Sequence, residues 1–439
     1  MMNEHERTEA TGEAPMPSMP MSADLVVIGA GIAGLCAALV AAERGAKVVI
    51  LDAHEPGGRA STANRDGFRL NVGAHGLYRG GHLTHMLTAR GSEPAGGIVS
   101  TKSIGVLLDG SVHHLAMNPL GILRNPVLTP RSRVRMAALF ARVPRMKTAS
   151  LAGRSVREWL SDEPADLQGF MEMFIRLSTY THAPDQFDAG AAAGQLQMAF
   201  KGVRYVDAGW IRIVESLRKL ATSAGATVIS HAEVTRVETD SNRNHVYVRE
   251  HCISASAVVV ATGGPDVAAR LTGATVEGAE HLTQPVAVSC LDLGVRQPHD
   301  GLVLGMDQPV YLSPHAPLAD LAPAGHGLVT VIRYLAPGES AGEAATAKAQ
   351  LHDVARRCGI ADEDIVMERA LHRMVVTHGA PTAASGGLAG RPSIDALGLR
   401  GVFVAGDWVG PSSLIADASA ASGEQSGIAA AALCASIVR

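Results

Sequence analysis

Few patterns limit the fold of a chain as strongly as the stretch from Asp24 to Asp52, which reads DLVVIGAGIAGLCAALVAAERGAKVVILD. The apolar run from Leu25 to Ile28 predicts a short buried strand. A helix rich in alanine and leucine is then predicted over Leu35 to Glu43, and a second apolar strand over Lys47 to Leu51. Together these segments predict a complete βαβ unit.

Three glycines between the first strand and the helix have the spacing G-x-G-x-x-G. Gly29 allows a tight turn, Gly31 lets a pyrophosphate approach the backbone, and Gly34 lets the helix pack closely on the strand. The start of the helix, which includes Ala33, offers N–H groups and a positive dipole end to phosphates. Asp52 ends the second strand, where a carboxylate can accept hydrogen bonds from a ribose hydroxyl, which fits FAD or NAD better than NADP. These residues predict a dinucleotide site, and the alternative is a glycine turn that binds no ligand.

The length and composition of the chain indicate a large globular α/β protein. At 439 residues it is longer than a single hydrophobic core usually supports, so two closely packed domains are predicted. Hydrophobic residues make up 47% and charged residues 18%, a balance typical of globular chains. The net charge of −4 gives no reason to expect a nucleic-acid partner.

The cysteines and the first residues bear on the cellular compartment. The five cysteines are scattered without a C-x-x-C pair, which favours reduced thiols and a cytoplasmic protein. Residues 1–22 carry several acids and lack the apolar segment of a secretory signal, so they are predicted to form a flexible tail. No uninterrupted apolar run reaches the roughly 18 residues of a transmembrane helix.

The residues after Asp52 predict a loop that returns over the dinucleotide. Gly57, Gly58, Arg59 and Thr62 form the pattern G-G-R-x-x-T. Arg59 is predicted to pair with the pyrophosphate as a forked donor, and the alternative is an ordinary surface arginine.

A predicted strand from Phe68 to Val72 leads into a second glycine-containing turn. The small residues Gly73 and Ala74 would let the backbone lie flat against a planar ring. Two interpretations of His75 stay open: a hydrogen-bonded structural histidine, or a catalytic residue beside the cofactor.

Two later strands also end in glycine turns that could approach the cofactor. The first is the buried strand from Ala257 to Gly264. The second runs from Val402 to Ala405, near the other end of the chain, and precedes an alanine-rich helix over Ala416 to Ile437. The turn residues are Thr262 and Gly263 in the first case and Gly406 and Asp407 in the second. The predicted nucleotide-binding domain is therefore discontinuous.

The remaining segments predict a second structural unit. Ile98 to Leu108 and Val112 to Leu115 predict a hairpin around Asp109-Gly110. Helical patterns dominate from Pro119 to about Phe200. Strand-like runs from Pro285 to Leu335 predict a second sheet, which is followed by a helix over Gly342 to Cys358.

The stretch from Arg124 to Lys147 carries basic residues and no acid. Apolar residues recur within it at helical spacing, at Met136, Leu139 or Phe140, Val143 and Met146. A basic amphipathic helix can lie on an anionic membrane, so peripheral membrane contact is one interpretation. We favour the alternative, in which the apolar stripe packs on a domain core and the basic face is solvated.

The motifs together resemble the superfamily of FAD-dependent amine oxidases and phytoene desaturases. The matching segments follow the order of that family and cover nearly all of the chain after residue 22. They are VVIGAGIAGL at 26–35, Asp52, GGRAST at 57–62, VVVATGG at 258–264 and GVFVAGDWVG with ADASAASGEQSG within 401–427. The resemblance implies FAD as cofactor and an α/β fold with a discontinuous, doubly wound, Rossmann-like FAD-binding domain. It also implies an α+β substrate domain, with helices over a mixed sheet.

The same resemblance implies roles for individual segments and residues. The FAD-binding domain would comprise 23–85, 205–275 and 370–439, and the substrate domain 86–204 and 276–369. Val234 would contact adenine through its backbone, while Arg59 and Asp407 would hold the pyrophosphate and ribityl regions. The segment containing Leu414, Ile415 and Ala418 would direct N–H groups at the flavin pyrimidine ring.

Two departures from amine oxidases of this family favour the desaturase side. The segment before the last helix lacks their usual aromatic residue, and residues 276–340 contain no lysine. We therefore predict an FAD-dependent dehydrogenase or desaturase that removes hydride from a largely apolar small molecule, with oxygen, a quinone or another acceptor reoxidising the flavin. A flavin amine oxidase and a redox-neutral isomerase are the alternatives. No metal site is predicted, since His113 and His114 would point to opposite faces of a strand, and the oligomeric state stays open.

Overall fold

The structure, a computed structural model, describes residues 19–100 and 102–437. Most of the predicted N-terminal tail, residues 1–18, lies outside this range. Met19 packs against the core, and the first strand begins at Ser22, so regular structure begins slightly earlier than predicted.

The chain alternates strands and helices. Its helices are α1 (Ile32–Ala42), α2 (His82–Thr88), α3 (Pro119–Leu123), α4 (Pro130–Arg142), α5 (Val156–Leu160), α6 (Ala165–Thr179), α7 (Ala189–Ala199), α8 (Ile211–Ser223), α9 (Pro265–Thr272), α10 (Ala344–Arg357) and α11 (Ile415–Ile437). Its strands are β1 (Ser22–Ile28), β2 (Val48–Leu51), β3 (Thr62–Arg65), β4 (Phe68–Asn71), β5 (Leu77–Tyr78), β6 (Gly96–Ile98), β7 (Ser103–Leu108), β8 (Ser111–Ala116), β9 (Val203–Val206), β10 (Thr227–Ile229), β11 (Val234–Thr239), β12 (Asn244–Val248), β13 (His251–Val260), β14 (Val286–Val295), β15 (Leu302–Gly305), β16 (Val310–Ala316), β17 (Gly327–Tyr334), β18 (Ile365–Thr377) and β19 (Val402–Val404).

The first large sheet has the order β10-β2-β1-β13-β12-β11, and β19 pairs with β13. Its central strands β2, β1, β13 and β19 are parallel. Along β1, Leu25 and Val27 pack against α1, α8 and α11, whereas Val26 and Ile28 face a second core on the other side. The βαβ unit therefore forms as predicted, inside a doubly wound sheet that is covered on both faces.

Helix α11 packs directly along α1. An added Cβ at Gly423 would lie 2.3 Å from the Ala33 carbonyl oxygen, and one at Gly427 would lie 2.3 Å from the Ala37 carbonyl oxygen. Only glycine permits so close an approach of the two backbones. The last helix of the chain is thereby fixed beside the first, with both N-termini at the same end of the sheet.

The second large sheet has the order β18-β14-β17-β16-β15-β7-β8 and is antiparallel except for the β15–β7 pair. The helices α4, α6 and α7 cover one face, and α10 covers the other. The predicted hairpin is present over β7 and β8, with positive φ at Asp109 and Gly110. Its first strand begins at Ser103 rather than at Ile98, because β6 pairs instead with β9 in a small separate sheet.

The apolar stripe of the basic stretch packs inside the protein. Met136, Leu139 and Val143 are buried in the core between α4, α6 and the second sheet. This arrangement agrees with the favoured interpretation, a solvated face over a domain core. Among the helices of the described ranges, none is long and apolar enough to cross a membrane.

Candidate functional site

A cavity of about 560 Å³ lies between the two large sheets, at the carboxyl ends of the parallel strands. Its volume falls in the usual range of ligand sites. Crevices at this edge of doubly wound sheets are the common position for nucleotide ligands. The predicted site residues that line the cavity are Gly29, Gly31, Ala33, Asp52, Gly58, Arg59, Ala74, His75, Thr262, Gly263, Gly406, Asp407 and Ile415.

One end of the cavity has the geometry of a dinucleotide cradle. Gly29 has a φ of +102°, which gives the tight turn between β1 and α1. At Gly31 an added Cβ would meet no atom closer than the Gly57 carbonyl oxygen at 4.0 Å, so the backbone borders open space. No side chain caps the N-terminus of α1, which leaves its first N–H groups for a phosphate. The Asp52 carboxylate is held at this end by the Ala30 N–H at 2.6 Å.

Arg59 and Asp407 form a forked ion pair across the middle of the cavity wall. Arg59 Nη1 lies 2.9 Å from Asp407 Oδ2, and Nη2 lies 3.0 Å from Oδ1. The His378 backbone N–H also donates to Asp407 Oδ2 at 3.0 Å. Burial acts to raise the pKa of Asp407, but the charge of Arg59 and the hydrogen bonds from the His378 ring and from Arg59 hold it well below its usual value. The sequence predicts both residues as separate cofactor contacts, and the structure shows that they also bind each other.

His75 lies in the cavity wall against Trp210, with ring centroids 4.7 Å apart. Its Nδ1 is 3.0 Å from the Gly73 carbonyl oxygen, which can only accept, so Nδ1 carries the proton. Burial lowers the pKa of His75 to about 4, so the ring is neutral at pH 7. A ring with so low a pKa is a weak base at pH 7, so His75 suits hydrogen bonding to a ligand better than the removal of a proton.

Arg391 fixes the loop that leads into α11. Its buried guanidinium donates to the backbone carbonyls of Asp407, Gly410, Ser412 and Ser413 at 2.7–3.0 Å. Burial lowers the pKa of Arg391 to about 10. The loop ends at Ile415, whose φ of +55° is unusual for a β-branched residue and strains the backbone. The Arg391 hydrogen bonds stabilise the loop that presents Ile415 to the cavity.

Asp417, in the first turn of α11, is a buried carboxyl group in the cavity wall. Its Oδ1 accepts the Leu83 N–H at 2.9 Å, which ties the start of α2 to α11. Burial raises the pKa of Asp417 to about 6, although the N–H donors of α2 act to lower it. The sequence did not single out this residue. An acid in the first turn of a helix is usually an exposed residue whose charge interacts favourably with the helix dipole.

Replacing Asp417 with asparagine is expected to stabilise the protein at alkaline pH. The native carboxyl binds its proton more tightly than the unfolded one, so its ionisation destabilises the fold progressively as the pH rises from about 4 to above 6. Asparagine keeps an oxygen for the Leu83 N–H. Urea unfolding at pH 8 should show the D417N variant more stable by up to about 3 kcal/mol, with a smaller difference at pH 5.

The D66N variant provides the control for this comparison, because it removes a carboxyl group from the exposed surface rather than from the buried cavity wall. An equal stability difference between D417N and the parent protein at both pH values would contradict the assignment of a raised pKa to Asp417.

Part of the cavity wall is apolar. Its residues include Leu77, Met374, Val376 and Ile415, together with Tyr180. The Tyr180 hydroxyl meets that of Tyr311 at 3.2 Å, and burial raises the pKa of both far above the ordinary value. This part of the wall therefore offers aliphatic and aromatic surface with neutral hydroxyl groups.

The geometry agrees with the sequence comparisons. Residues 24–422 match the model of the family described as FAD dependent oxidoreductase. The chain belongs to this family. Its cofactor is accordingly FAD, and the protein is an enzyme. Among curated proteins, none matches the sequence of this FAD dependent oxidoreductase significantly.

Solved structures show the same fold over nearly the whole chain. An oxidoreductase from Methanosarcina mazei is 20% identical, with a TM-score of 0.74, and the match covers 91% of this chain and 99% of that chain. A putrescine oxidase with bound putrescine is 16% identical, with a TM-score of 0.72 and coverage of 95% and 99%. Cyclohexylamine oxidase from Brevibacterium oxydans is 15% identical, with a TM-score of 0.68 and coverage of 95% and 100%. At these identities the likeness shows the fold, a Rossmann-like FAD domain with a substrate domain.

Some predicted site residues of this FAD dependent oxidoreductase lie outside the cavity wall. Gly34 and Gly73 lie behind it, in the packing of α1 and in the turn that holds His75. Val234 begins β11 and is buried in the core on the far face of the first sheet. Leu414 and Ala418 are buried beside the start of α11. The wall residues that the sequence did not identify include His54, Leu77, Tyr78, Tyr180, Trp210, Met374, Val376, His378 and Asp417.

Proposed function

We propose that this enzyme uses FAD to remove hydride from a largely apolar small molecule, with oxygen, a quinone or another acceptor reoxidising the flavin. One observation carries the proposal: a single cavity joins the glycine cradle beside Gly31 and Asp52 to the apolar wall formed by Met374, Val376 and Ile415. A cofactor bound at the cradle can therefore extend towards a substrate bound at the apolar wall.

The residues present fit FAD along the whole cavity. We propose that the uncapped N-terminus of α1 binds the pyrophosphate and that Asp52 binds the ribose of the adenosine half. Arg59 and Asp407 would hold the middle of the cofactor while remaining paired with each other. FAD supplies the two-electron acceptor, so the protein needs to position and desolvate the substrate rather than to provide a strong base. The neutral His75 and the apolar wall are consistent with that division of roles.

The predicted division of the chain is part of this proposal. The FAD domain would comprise residues 23–85, 205–275 and 370–439, and the substrate domain residues 86–204 and 276–369. The two large sheets draw their strands from these two sets of segments, apart from β18, which contains the boundary at residue 370 and contributes Met374 and Val376 to the cavity. Peripheral membrane contact is a separate proposal that does not depend on this chemistry.

Amine oxidation is a second candidate function. The tyrosine rings and the Asp417 carboxyl group in the cavity wall favour it. Tyr78 and Tyr180 offer aromatic faces to the cavity, and the Asp417 carboxyl can pair with a cationic amine when it is ionised. Rapid release of hydrogen peroxide with simple alkyl or cycloalkyl amines would favour this candidate over dehydrogenation of an uncharged substrate.

The experiment that tests the proposal has two stages. The absorption spectrum of the purified protein, before and after denaturation, is expected to show a flavin that is released and runs as FAD. Anaerobic mixing with a panel of alicyclic, terpenoid and amine compounds should then bleach the flavin absorption with at least one of them. Bleaching by NADH or NADPH alone, without any organic donor, would contradict the proposed direction of electron flow.

A further inference from the structure

Helix α3 is built entirely of apolar residues, yet none of them is buried. It reads Pro-Leu-Gly-Ile-Leu over Pro119–Leu123, and Leu120 and Leu123 are 56% and 51% exposed. A single exposed leucine is common on a protein surface, but two on one short helix form a small apolar patch. Here Ile122 alone contacts the neighbouring core, and the two leucines point into solvent.

This apolar helix is held firmly on the protein. An added Cβ at Gly121 would lie 2.0 Å from the Ala116 carbonyl oxygen, so α3 lies directly on the end of β8. The Asn118 side chain caps the helix by accepting the Gly121 N–H at 2.8 Å. Arg133 of α4 donates to the Leu123 carbonyl oxygen at 3.3 Å and to the Leu128 carbonyl oxygen at 2.9 Å. The exposed leucines are therefore presented by an anchored segment.

Exposed basic side chains occur in the same segment of the chain as the exposed leucines. On the outer face of α4, Val134 is 64% exposed, and the exposed Arg131 precedes it by three residues. The exposed basic residues of this region are Arg124, Arg131, Arg142, Arg145 and Lys147. No acidic residue occurs between positions 124 and 147, and Glu163 of the neighbouring segment pairs with Arg135. The Asp166 carboxylate also lies at the start of α4, where it accepts hydrogen bonds from Thr129 and Ser132. The region thus combines two exposed leucines with an excess of positive charge that these two acids offset only in part.

We propose that this region, residues 118–147, is a docking surface for an anionic lipid bilayer, into which Leu120 and Leu123 insert. Apolar side chains that enter the lipid boundary, flanked by arginine and lysine at the level of the headgroups, are the chemistry of monotopic membrane contact. A second copy of the chain is a poorer occupant, because a two-fold contact would bring the same cations together. The buried stripe of α4 plays no part in this contact, since it already packs in the core.

The surface lies on the helical layer that covers the substrate-side core. Leu128 lies between α3 and α4, and Met136 lies in α4. Both share that core with Leu414, the residue before α11. A bilayer at this face would bring an apolar substrate close to the part of the molecule that encloses the cavity. Docking at this surface can be measured without turnover of any substrate.

The test is flotation of the FAD-loaded protein with vesicles of phosphatidylcholine that contain phosphatidylglycerol. The protein should float with these vesicles, bind pure phosphatidylcholine vesicles at least tenfold more weakly, and lose binding as the salt concentration rises. The double variant L120S/L123S should reduce binding to the anionic vesicles by at least tenfold. The triple variant R142Q/R145Q/K147Q should reduce it by about tenfold or more.

Matched controls come from other parts of the surface. Leu318 is another partly exposed leucine, and Arg218 and Lys219 are exposed cations on α8. The variants L318S and R218Q/K219Q should bind the anionic vesicles as the parent protein does, and retained FAD reports that every variant is folded. Absence of vesicle binding, or equal binding by L120S/L123S and the parent protein, would overturn the proposal. A concentration-dependent dimer that L120S/L123S abolishes, without vesicle binding, would instead identify the surface as a contact between protein chains.

Discussion

Replacing Arg59 with methionine is expected to lower the free energy of unfolding by about 3 kcal/mol, because the variant leaves the carboxylate of Asp407 buried without its cation. Asp407 is 2% exposed, whereas Arg59 is 39% exposed, so the cost of breaking the pair falls mainly on the aspartate. Weaker FAD binding should accompany the loss of stability, since both residues line the cavity. Urea unfolding and titration of the FAD-free protein with FAD measure the two effects.

A second substitution separates the lost ion pair from other effects at Arg59. An asparagine in place of Asp407 carries no charge, so the double variant R59M/D407N should recover most of the stability that R59M loses. The R59M defect should also diminish as the pH falls, because protonation removes the unpaired charge of Asp407. If R59M/D407N is less stable than R59M at pH 7, the destabilisation does not arise from a buried carboxylate.

Two glycines of the same motif are expected to respond in opposite ways to alanine. In G34A the new methyl group would lie 1.9 Å from the Gly29 carbonyl oxygen, so α1 must separate from the β1 turn. We expect a loss of stability of at least about 2 kcal/mol and loss of FAD binding. In G31A the methyl group meets nothing within contact distance, and the φ of −81° at Gly31 suits alanine.

The FAD-free G31A protein should therefore unfold like the parent protein, yet bind FAD at least tenfold more weakly, because the methyl group occupies the path of the pyrophosphate. Thermal unfolding of both variants without FAD, followed by FAD titration, makes the comparison. Equal stability of G34A and G31A would contradict the packing role of Gly34, and normal FAD affinity of G31A would contradict the position of the pyrophosphate.

The βαβ unit could be predicted because its signals are local. The G-x-G-x-x-G spacing, the apolar strand before it and Asp52 after it act within one supersecondary unit, whose parts are neighbours in sequence. The last strand and helix repeated these signals, so the discontinuous domain followed from the same reasoning. Local chemistry therefore accounts for the cradle and for most of the predicted wall residues.

Contacts between distant parts of the chain were beyond such reasoning. Arg59 and Asp407 are 348 positions apart, and each alone has the character of a cofactor ligand. Their ion pair depends on how the two βα turns meet in the folded protein. Asp417 is an ordinary first-turn acid until α2 packs over it and removes it from water.

The basic stretch illustrates a different limit. An apolar stripe on a helix has the same spacing whether it packs on a protein core or on a membrane. The burial of Met136 in the core could therefore not be predicted from the spacing of the apolar residues alone. The five residues of α3 are too few to show any period, although they include both exposed leucines of the region. Burial, rather than sequence pattern, distinguishes the two helices.

The way in which Arg391 holds the loop before α11 has a consequence for how the enzyme could diversify. Its guanidinium binds backbone carbonyls, which every amino acid supplies, and no side chain of the loop from 408 to 413 contributes to this contact. Homologous enzymes could therefore exchange exposed side chains of this loop, such as those of Pro411 and Ser412, without losing the scaffold that supports α11. Trp408 is different, because it is buried and donates a hydrogen bond to the Gly263 carbonyl oxygen. The fold of the loop thus depends on Arg391 and on its buried residues rather than on its exposed side chains.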